Sequence, residues 1–254
     1  MTELVRSSTD GEIATVTLDS PANRNALSTA LLTQLQAAIA GTIADSRVRV
    51  IVLTGAGPAF CAGADLKEAR ESPAAAPALF PRIIELIFAS PKPVVCRVNG
   101  SARAGGIGLI AACDIAIAAL PATFAFTEVR IGAVPAIIAV PCLRRMPSRA
   151  AAEYFLTGET FDAERAREIG LLTRAVPEAE LDEQTERYAR MLLRGAPGAL
   201  AATRGILRDV AALSLADGLT SMAELSASRF ASAEAREGMA AFAEKRDPSW
   251  VGRP

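Results

Sequence analysis

An α/β fold followed by a helical C-terminal part is what this sequence predicts, on three observations. Twice an apolar run reads as a buried strand, crosses a stretch of small residues and opens a helix: residues 48–54 lead through 55–65 to a helix from Leu66, and residues 93–98 lead through 99–104 to a helix from Gly105. Strands and helices alternate to about residue 148, as in an α/β layer protein, and beyond it the patterns read as helices only. At 254 residues, 51% of them hydrophobic and 22% charged, the chain has enough apolar material for one large core and is not a disordered polymer.

Each element has its own signal. Ile13 to Asp19 alternates apolar with small or polar residues, as a half-buried strand does, and Gly11-Glu12 turns it back on Leu4 to Ser7. Pro21 to Asn25 is a loop. Ser28 caps a helix running to about Ala44, with Leu31, Leu32, Leu35 and Ile39 on one face. Asp65 caps the helix from Leu66, whose Glu68 and Glu71 are expected to face solvent. Residues 72–78, Ser-Pro-Ala-Ala-Ala-Pro-Ala, are of low complexity. A helix over 80–89 stops before Pro91-Lys92-Pro93, because a residue preceding proline disfavours the helical region. Strand 93–98, helix 105–112 and strand 114–118 follow, with Asp114 expected to bond backbone groups at the strand start. Helix 150–157 ends at Gly158; Asp162 caps 163–169, which ends at Gly170. Residues 171–176 read as an extended link, and helices follow near 180–194, 197–210, 215–230 and 232–245. The shift in composition divides the chain into a core, 1–195, and a helical region, 196–254.

Composition also restricts function. Lys and Arg number 27 against 28 Asp and Glu, a formal net charge of −1, so nothing global attracts nucleic acid or an anionic membrane. No apolar run reaches membrane-spanning length, since Asp114 interrupts Ile107 to Leu120. The first residues lack a signal-peptide core, and Cys61, Cys96, Cys113 and Cys142 form no CxxC pair; buried thiols in a cytoplasmic protein are expected. Histidine is absent, which removes Ser-His-Asp and Cys-His catalysis and histidine-based zinc sites. Acid–base work must then fall to carboxylates, Lys, Tyr or Cys.

The two small-residue stretches place backbone N–H groups around a concave spot. Either one alone reads equally as a tight turn or as close helix–strand packing. Their order along the chain adds information. Ala62-Gly63-Ala64-Asp65, Asn99-Gly100 with Gly105-Gly106, Asn25-Ala26-Leu27, Phe124 to Gly132 and the tail Glu237 to Arg246 together resemble the crotonase family, the enoyl-CoA hydratase/isomerase superfamily, from about residue 10 to 250.

The resemblance implies a crotonase-like (ClpP/crotonase) spiral of ββα units, with a C-terminal helical region that serves trimerisation and site closure in a homotrimer or homohexamer. It implies an acyl-CoA thioester substrate, with coenzyme A part of that substrate, no separate cofactor and no metal. Ala64 and Gly105 match the family's oxyanion hole, two amides that meet the enolate oxygen. Arg24, Ala26, Ala62, Ala64, Asp65, Leu66 and Gly105 match positions along coenzyme A, Arg24 towards a phosphate. Lys245 matches a tail lysine that in some relatives reaches a CoA phosphate from a neighbouring subunit. As isolated residues, Arg24 and Lys245 are equally ordinary solvated charges. Glu128 matches a catalytic glutamate and, read by itself, is equally a surface partner of Arg130. Phe80, Ile83, Ile84, Ile137 and Ile138 are candidate acyl-pocket residues.

One position departs from the pattern. Two-glutamate hydratases carry their other glutamate where this chain has Gly108. Three activities follow as alternatives: hydration of a 2-enoyl-CoA by Glu128 alone, the leading expectation; isomerisation of a 3-enoyl-CoA to a 2-enoyl-CoA; and acyl-CoA binding without turnover.

Overall fold

The computed structural model describes residues 2–71 and 79–252; the low-complexity stretch 72–78 lies outside them. The chain begins with the expected hairpin, β1 (Val5–Asp10) and β2 (Ile13–Leu18), followed by α1 (Thr29–Ala44), which Ser28 caps by accepting from the Leu31 amide at 3.2 Å. β3 (Val50–Gly55), a three-residue strand β4 (Ala59–Cys61) and α2 (Leu66–Glu71) come next. A similar unit follows α3 (Leu79–Ala89): β5 (Val94–Val98), β6 (Ser101–Arg103) and α4 (Gly105–Ala112). β7 (Ile115–Ala119) and β8 (Thr123–Ala125) lead to α5 (Ala136–Cys142) and α6 (Ser148–Thr157). Then come β9 (Phe161–Asp162), α7 (Ala163–Glu168), β10 (Arg174–Val176) and the helices α8 (Leu181–Leu193), α9 (Pro197–Asp209), α10 (Leu215–Phe230) and α11 (Ala233–Glu244).

Two sheets result. The larger has the order β1-β2-β3-β5-β7-β10, parallel except for the β1–β2 hairpin. Alternate residues of β3 serve opposite faces. Ile51 and Leu53 join the main core with α1, α3 and α4, whereas Val50 and Val52 join a second cluster with Leu181 and Ala189 of α8. Both faces are covered, as a parallel sheet requires. The smaller sheet, β4-β6-β8-β9, takes β4 and β6 from within the two small-residue stretches. Its strands of two or three residues are too short for an alternating pattern to show. Likewise the chain beyond residue 148 is not helical throughout. β9 pairs with β8, and β10 pairs in parallel with β7, so the extended link forms an edge of the larger sheet.

Charged anchors fix the later helices. Arg204 of α9 is buried and grips the Asp114 carboxylate at 2.8–2.9 Å, while donating to the Ile87 carbonyl; Asp114 also accepts from the Val94 amide, the backbone role expected of it. Arg49 donates to the carbonyls of Leu193, Gly195 and Trp250, which ties the end of the chain and the α8–α9 turn to the root of β3. By contrast α10 buries only Gly218 and α11 only Ala241. Leu215, Leu219, Phe230, Met239 and Phe242 stand in solvent, Phe242 with 88% of its surface open.

Candidate active site

The small sheet positions every predicted catalytic group. β4 and β6 run parallel with Cys61 opposite Ala102, so the turns that follow them, with Ala64 and Gly105, leave the sheet at the same edge, and Leu27 touches both: it bridges Ala64, and its Cδ1 faces Gly105. The two turns pack together: a Cβ added to Gly63 would lie 2.9 Å from the Ala104 methyl and 3.0 Å from the Arg103 carbonyl oxygen. β8 runs parallel to β6 on its other side, with Ala102 opposite Phe124, and delivers Glu128 just beyond the same edge. Three parallel strands thus place Ala64, Gly105 and Glu128 at their C-terminal ends, where loops of open α/β sheets form ligand sites.

The backbone there is arranged for donation. Among the described residues, no acceptor takes the amide of Ala64 or of Gly105. Gly105 is the first residue of α4, where unsatisfied N–H groups and the helix dipole both favour an anion. Ala104 just before it has φ 47° and ψ −118°, the dihedrals of a glycine position in a type II′ turn. A non-glycine residue held there costs on the order of 1–3 kcal/mol. Ala104→Gly is therefore expected to raise stability by about 1 kcal/mol, read as a higher Tm. An unchanged or lower Tm would show that the methyl contact with Gly63 outweighs the backbone strain.

A neighbouring loop is zipped to this one. Leu27 bridges Ala64 in parallel: its amide donates to the Gly63 carbonyl at 2.8 Å and its carbonyl accepts from Asp65. The Ala62 amide donates to the Arg24 carbonyl at 2.9 Å. Arg24 and Asn25 both have positive φ, and the fully buried Asn25 amide donates to the carbonyls of Ala56, Ala59 and Phe60. Asn25 stood in the sequence as a motif letter without a role; its task is to fasten this loop to β4. Arg24, Ala26, Ala62, Ala64, Asp65 and Leu66 are thereby gathered into one ledge, with Arg24, Ala64 and Leu66 exposed. Asp65 caps α2 by accepting from the Lys67 and Glu68 amides. Glu68, expected to face solvent, instead accepts from the Thr29 amide at 2.9 Å and so caps α1, holding the ledge to that helix. Lys245 ends α11 in the left-handed conformation, and among the described residues it makes no ion pair.

Glu128 sits in a short 3-10 turn, Thr127–Ile131, anchored by aromatic packing. The buried Phe126 ring lies 4.1 Å from Phe155 and 6.2 Å from Phe161, centroid to centroid. Arg130 turns away to pair with Glu159, so Glu128 is not its surface partner. Glu128 is half-buried, and its Oε2 is enclosed with no hydrogen-bond partner among the described residues. Burial pushes its carboxyl above the ordinary value. Burial, with Glu128 adding to it, likewise pushes up the thiol of Cys142 on α5, whose nearness to Glu128 the sequence did not signal.

Gly108 is closed off. A Cβ there would meet Ile138 Cγ2 at 2.5 Å and Phe80 Cζ at 3.5 Å, and one at Gly105 would meet Leu27 Cδ1 at 2.7 Å. Phe80 therefore packs against both glycines and Ile138 against Gly108, while Ile84 and Ile137 line a groove between α3 and α5; Ile83 belongs to the core, fully buried.

Comparison with known proteins agrees with this architecture. Residues 8–253 match the enoyl-CoA hydratase/isomerase family model. A Thermus thermophilus protein provisionally named enoyl-CoA hydratase is 36% identical over 94% of this chain and 97% of its own length. The carnitinyl-CoA dehydratase of Salmonella typhimurium is 35% identical over the whole of both chains. The crystal structure of an enoyl-CoA hydratase from Mycobacterium smegmatis superposes with a TM-score of 0.93 at 32% identity, covering 99% of this chain and 100% of that one.

Proposed function

The chain belongs to the enoyl-CoA hydratase/isomerase family, and we propose that within it this protein adds water across the C2–C3 double bond of a 2-enoyl-CoA, and reverses that step, with Glu128 as its one acid–base carboxylate. The observation that carries this is the enclosed, unpartnered Glu128 Oε2 at the same sheet edge as two undonated amides. The names of the relatives, hydratase and dehydratase, favour this direction of chemistry.

The chemistry needs little else. The thioester oxygen accepts from the Ala64 and Gly105 amides, and gains charge as the enolate forms; one such donor is typically worth about 3–4 kcal/mol of barrier. Glu128 takes a proton from water as the oxygen adds to C3, then returns it to C2. The sum is one OH at C3 and one H at C2, with Glu128 restored. A raised carboxyl suits a group that must both accept and return a proton near neutral pH. Coenzyme A, part of the substrate, would run along the ledge of Ala26, Ala62, Asp65 and Leu66, with Arg24 at a phosphate.

A second activity is favoured by one observation. Ile138 fills the place of a second carboxylate, and moving a proton from C2 to C4 of a 3-enoyl-CoA needs only one. The absorbance of the conjugated thioester separates the two. Glu128-dependent loss from a 2-enoyl-CoA supports hydration; Glu128-dependent gain from a 3-enoyl-CoA, without loss from the first, replaces it with isomerisation. Tight binding of both esters without any change would leave an acyl-CoA-binding protein.

The apolar faces of α10 and α11 fit a homotrimer or homohexamer, in which Lys245 would reach a neighbour's coenzyme A. The four free, buried cysteines fit a cytoplasmic enzyme.

A further inference from the structure

The two amides assigned to the thioester oxygen belong to separate turns, and one buried residue, Leu27, is joined to each. Its backbone amide donates to the Gly63 carbonyl at 2.8 Å. That carbonyl and the Ala64 N–H are the two ends of one trans peptide, so they point in opposite directions. Holding the carbonyl from one side therefore aims the Ala64 N–H to the other, away from the Leu27 backbone. The same hydrogen bond polarises the peptide and strengthens its free end as a donor.

Gly105 is oriented in a matching way. The Ala104 carbonyl accepts from the Ile107 amide at 2.9 Å and from the Gly108 amide at 3.3 Å, so the Gly105 N–H at the other end of that peptide points out of α4. What remains to be set is the spacing between the two turns. Gly63 packs on Ala104, as described above, and Leu27 Cδ1 rests on the open face of Gly105, 2.7 Å from where a Cβ would stand, with Phe80 Cζ at 3.4 Å. Only glycine admits so close an approach. Phe80 comes from α3, whereas Leu27 is built into the Ala64 turn itself. Its own backbone is fixed from both sides: Asn25 fastens the preceding turn to β4, and Ser28 caps α1. A side chain whose root is bound at one amide and whose tip rests on the other is a spacer.

We propose that Leu27 is the positioning residue of the oxyanion hole, its side chain setting the distance between the Ala64 and Gly105 amides so that one thioester oxygen accepts from both. This rests on the acyl-CoA site assigned above but not on which reaction occurs there. A donor misplaced by about 1 Å can cost on the order of a hundredfold in rate. Shortening Leu27 is therefore expected to lower kcat by about ten- to a hundredfold on whichever enoyl ester turns over. KM should stay close to that of the wild type, because the ledge that would hold coenzyme A is unchanged.

The test reads the hydrogen bonds to the thioester directly. A saturated acyl-CoA, isotopically labelled at its thioester carbonyl, has no double bond to hydrate or shift, and its infrared carbonyl stretch falls as donors to the oxygen strengthen. Difference spectra compare the free ester with the ester bound to the wild type, Leu27→Val, Leu27→Ala and Leu27→Met. Leu27→Val loses the δ-carbon that meets Gly105 but stays apolar, and it carries the test if Leu27→Ala does not fold. The wild-type band is expected to move down on binding. In Leu27→Val and Leu27→Ala it should return at least halfway to its free position, or split in two, as the oxygen keeps one donor and loses the other. Leu27→Met, whose terminal methyl again reaches Gly105, should restore the shift and most of the turnover. A truncated variant that binds the ester with the full shift and the wild-type kcat would overturn the proposal. So would a loss of Tm or affinity alone, the mark of simple packing, or an equal loss of shift in Leu27→Met. A wild-type band that does not move on binding would mean that Ala64 and Gly105 do not hold the thioester, and would end the site assignment together with this proposal.

Discussion

Glu128→Gln is expected to lower turnover by about 10²- to 10⁴-fold while acyl-CoA binding survives. The substitution keeps shape and removes only the exchangeable proton site, and the Ala64 and Gly105 amides that would hold the thioester are untouched. Full activity in the variant would end the assignment of Glu128. The same variant carries a second, independent signature. Burial raises the folded-state carboxyl above its unfolded value, so between the two values the folded protein holds the extra proton. Stability contributed by that proton is present at low pH and is lost as pH rises through the folded pKa. Above it, the wild type carries an enclosed carboxylate oxygen with no partner, and Glu128→Gln does not. The Tm of the variant relative to the wild type should therefore rise as pH goes from below the ordinary carboxylate range to neutral. The acid limb of wild-type kcat/KM should lie above the pH of an ordinary glutamate. A Tm difference that stays constant with pH would mean that Glu128 is solvated and is not the group the mechanism needs.

How much of this was written legibly in the chain depends on the length of the pattern involved. The sixteen-residue helix α1 and the strands of the large sheet carry full periods and caps, and Ser28 and Asp162 do cap where their position predicts. The small sheet was hidden because strands of two or three small residues carry no period. Helix α5 was hidden for a different reason: Ile137, Ile138, Val140 and Pro141 oppose helix locally, and the contact with α4 overrides them. Both hidden elements shape the candidate site. Ala64, Gly105 and Glu128 could be named from their place in ordered motifs. What joins them, the Cys61–Ala102–Phe124 register, is a long-range pairing that no local stretch encodes. The roles of Asn25 and Glu68 as fasteners of the ledge were equally invisible, since each depends on a partner more than thirty residues away.

Gly108→Glu should damage the protein and not install a second acid–base group. The new Cβ would come 2.5 Å from Ile138 Cγ2 and 3.1 Å from Ile138 Cβ. Ile138 is β-branched, stiff at χ1 and almost fully buried on α5, so it has no flexible end to swing aside. Overpacking of this kind costs about 1–3 kcal/mol, and a carboxyl left unsatisfied among Ile138 and Phe80 adds about 1–3 kcal/mol. The expected loss is thus about 2–6 kcal/mol, read as a fall in denaturant midpoint, with hydration reduced alongside. Combining it with Ile138→Gly removes the obstructing side chain, at about 1 kcal/mol for glycine inside a helix and about 2–5 kcal/mol for the buried side chain lost. The double variant is therefore not expected to regain the midpoint, and its informative readout is hydration by the protein that remains folded. If hydration rises in the double variant above the wild type, then Ile138 is what holds this site to one carboxylate. If Gly108→Glu alone gains hydration at no cost in midpoint, the helix pair α4–α5 yields far more readily than a packed core does, and the closed position is not the reason for a single glutamate.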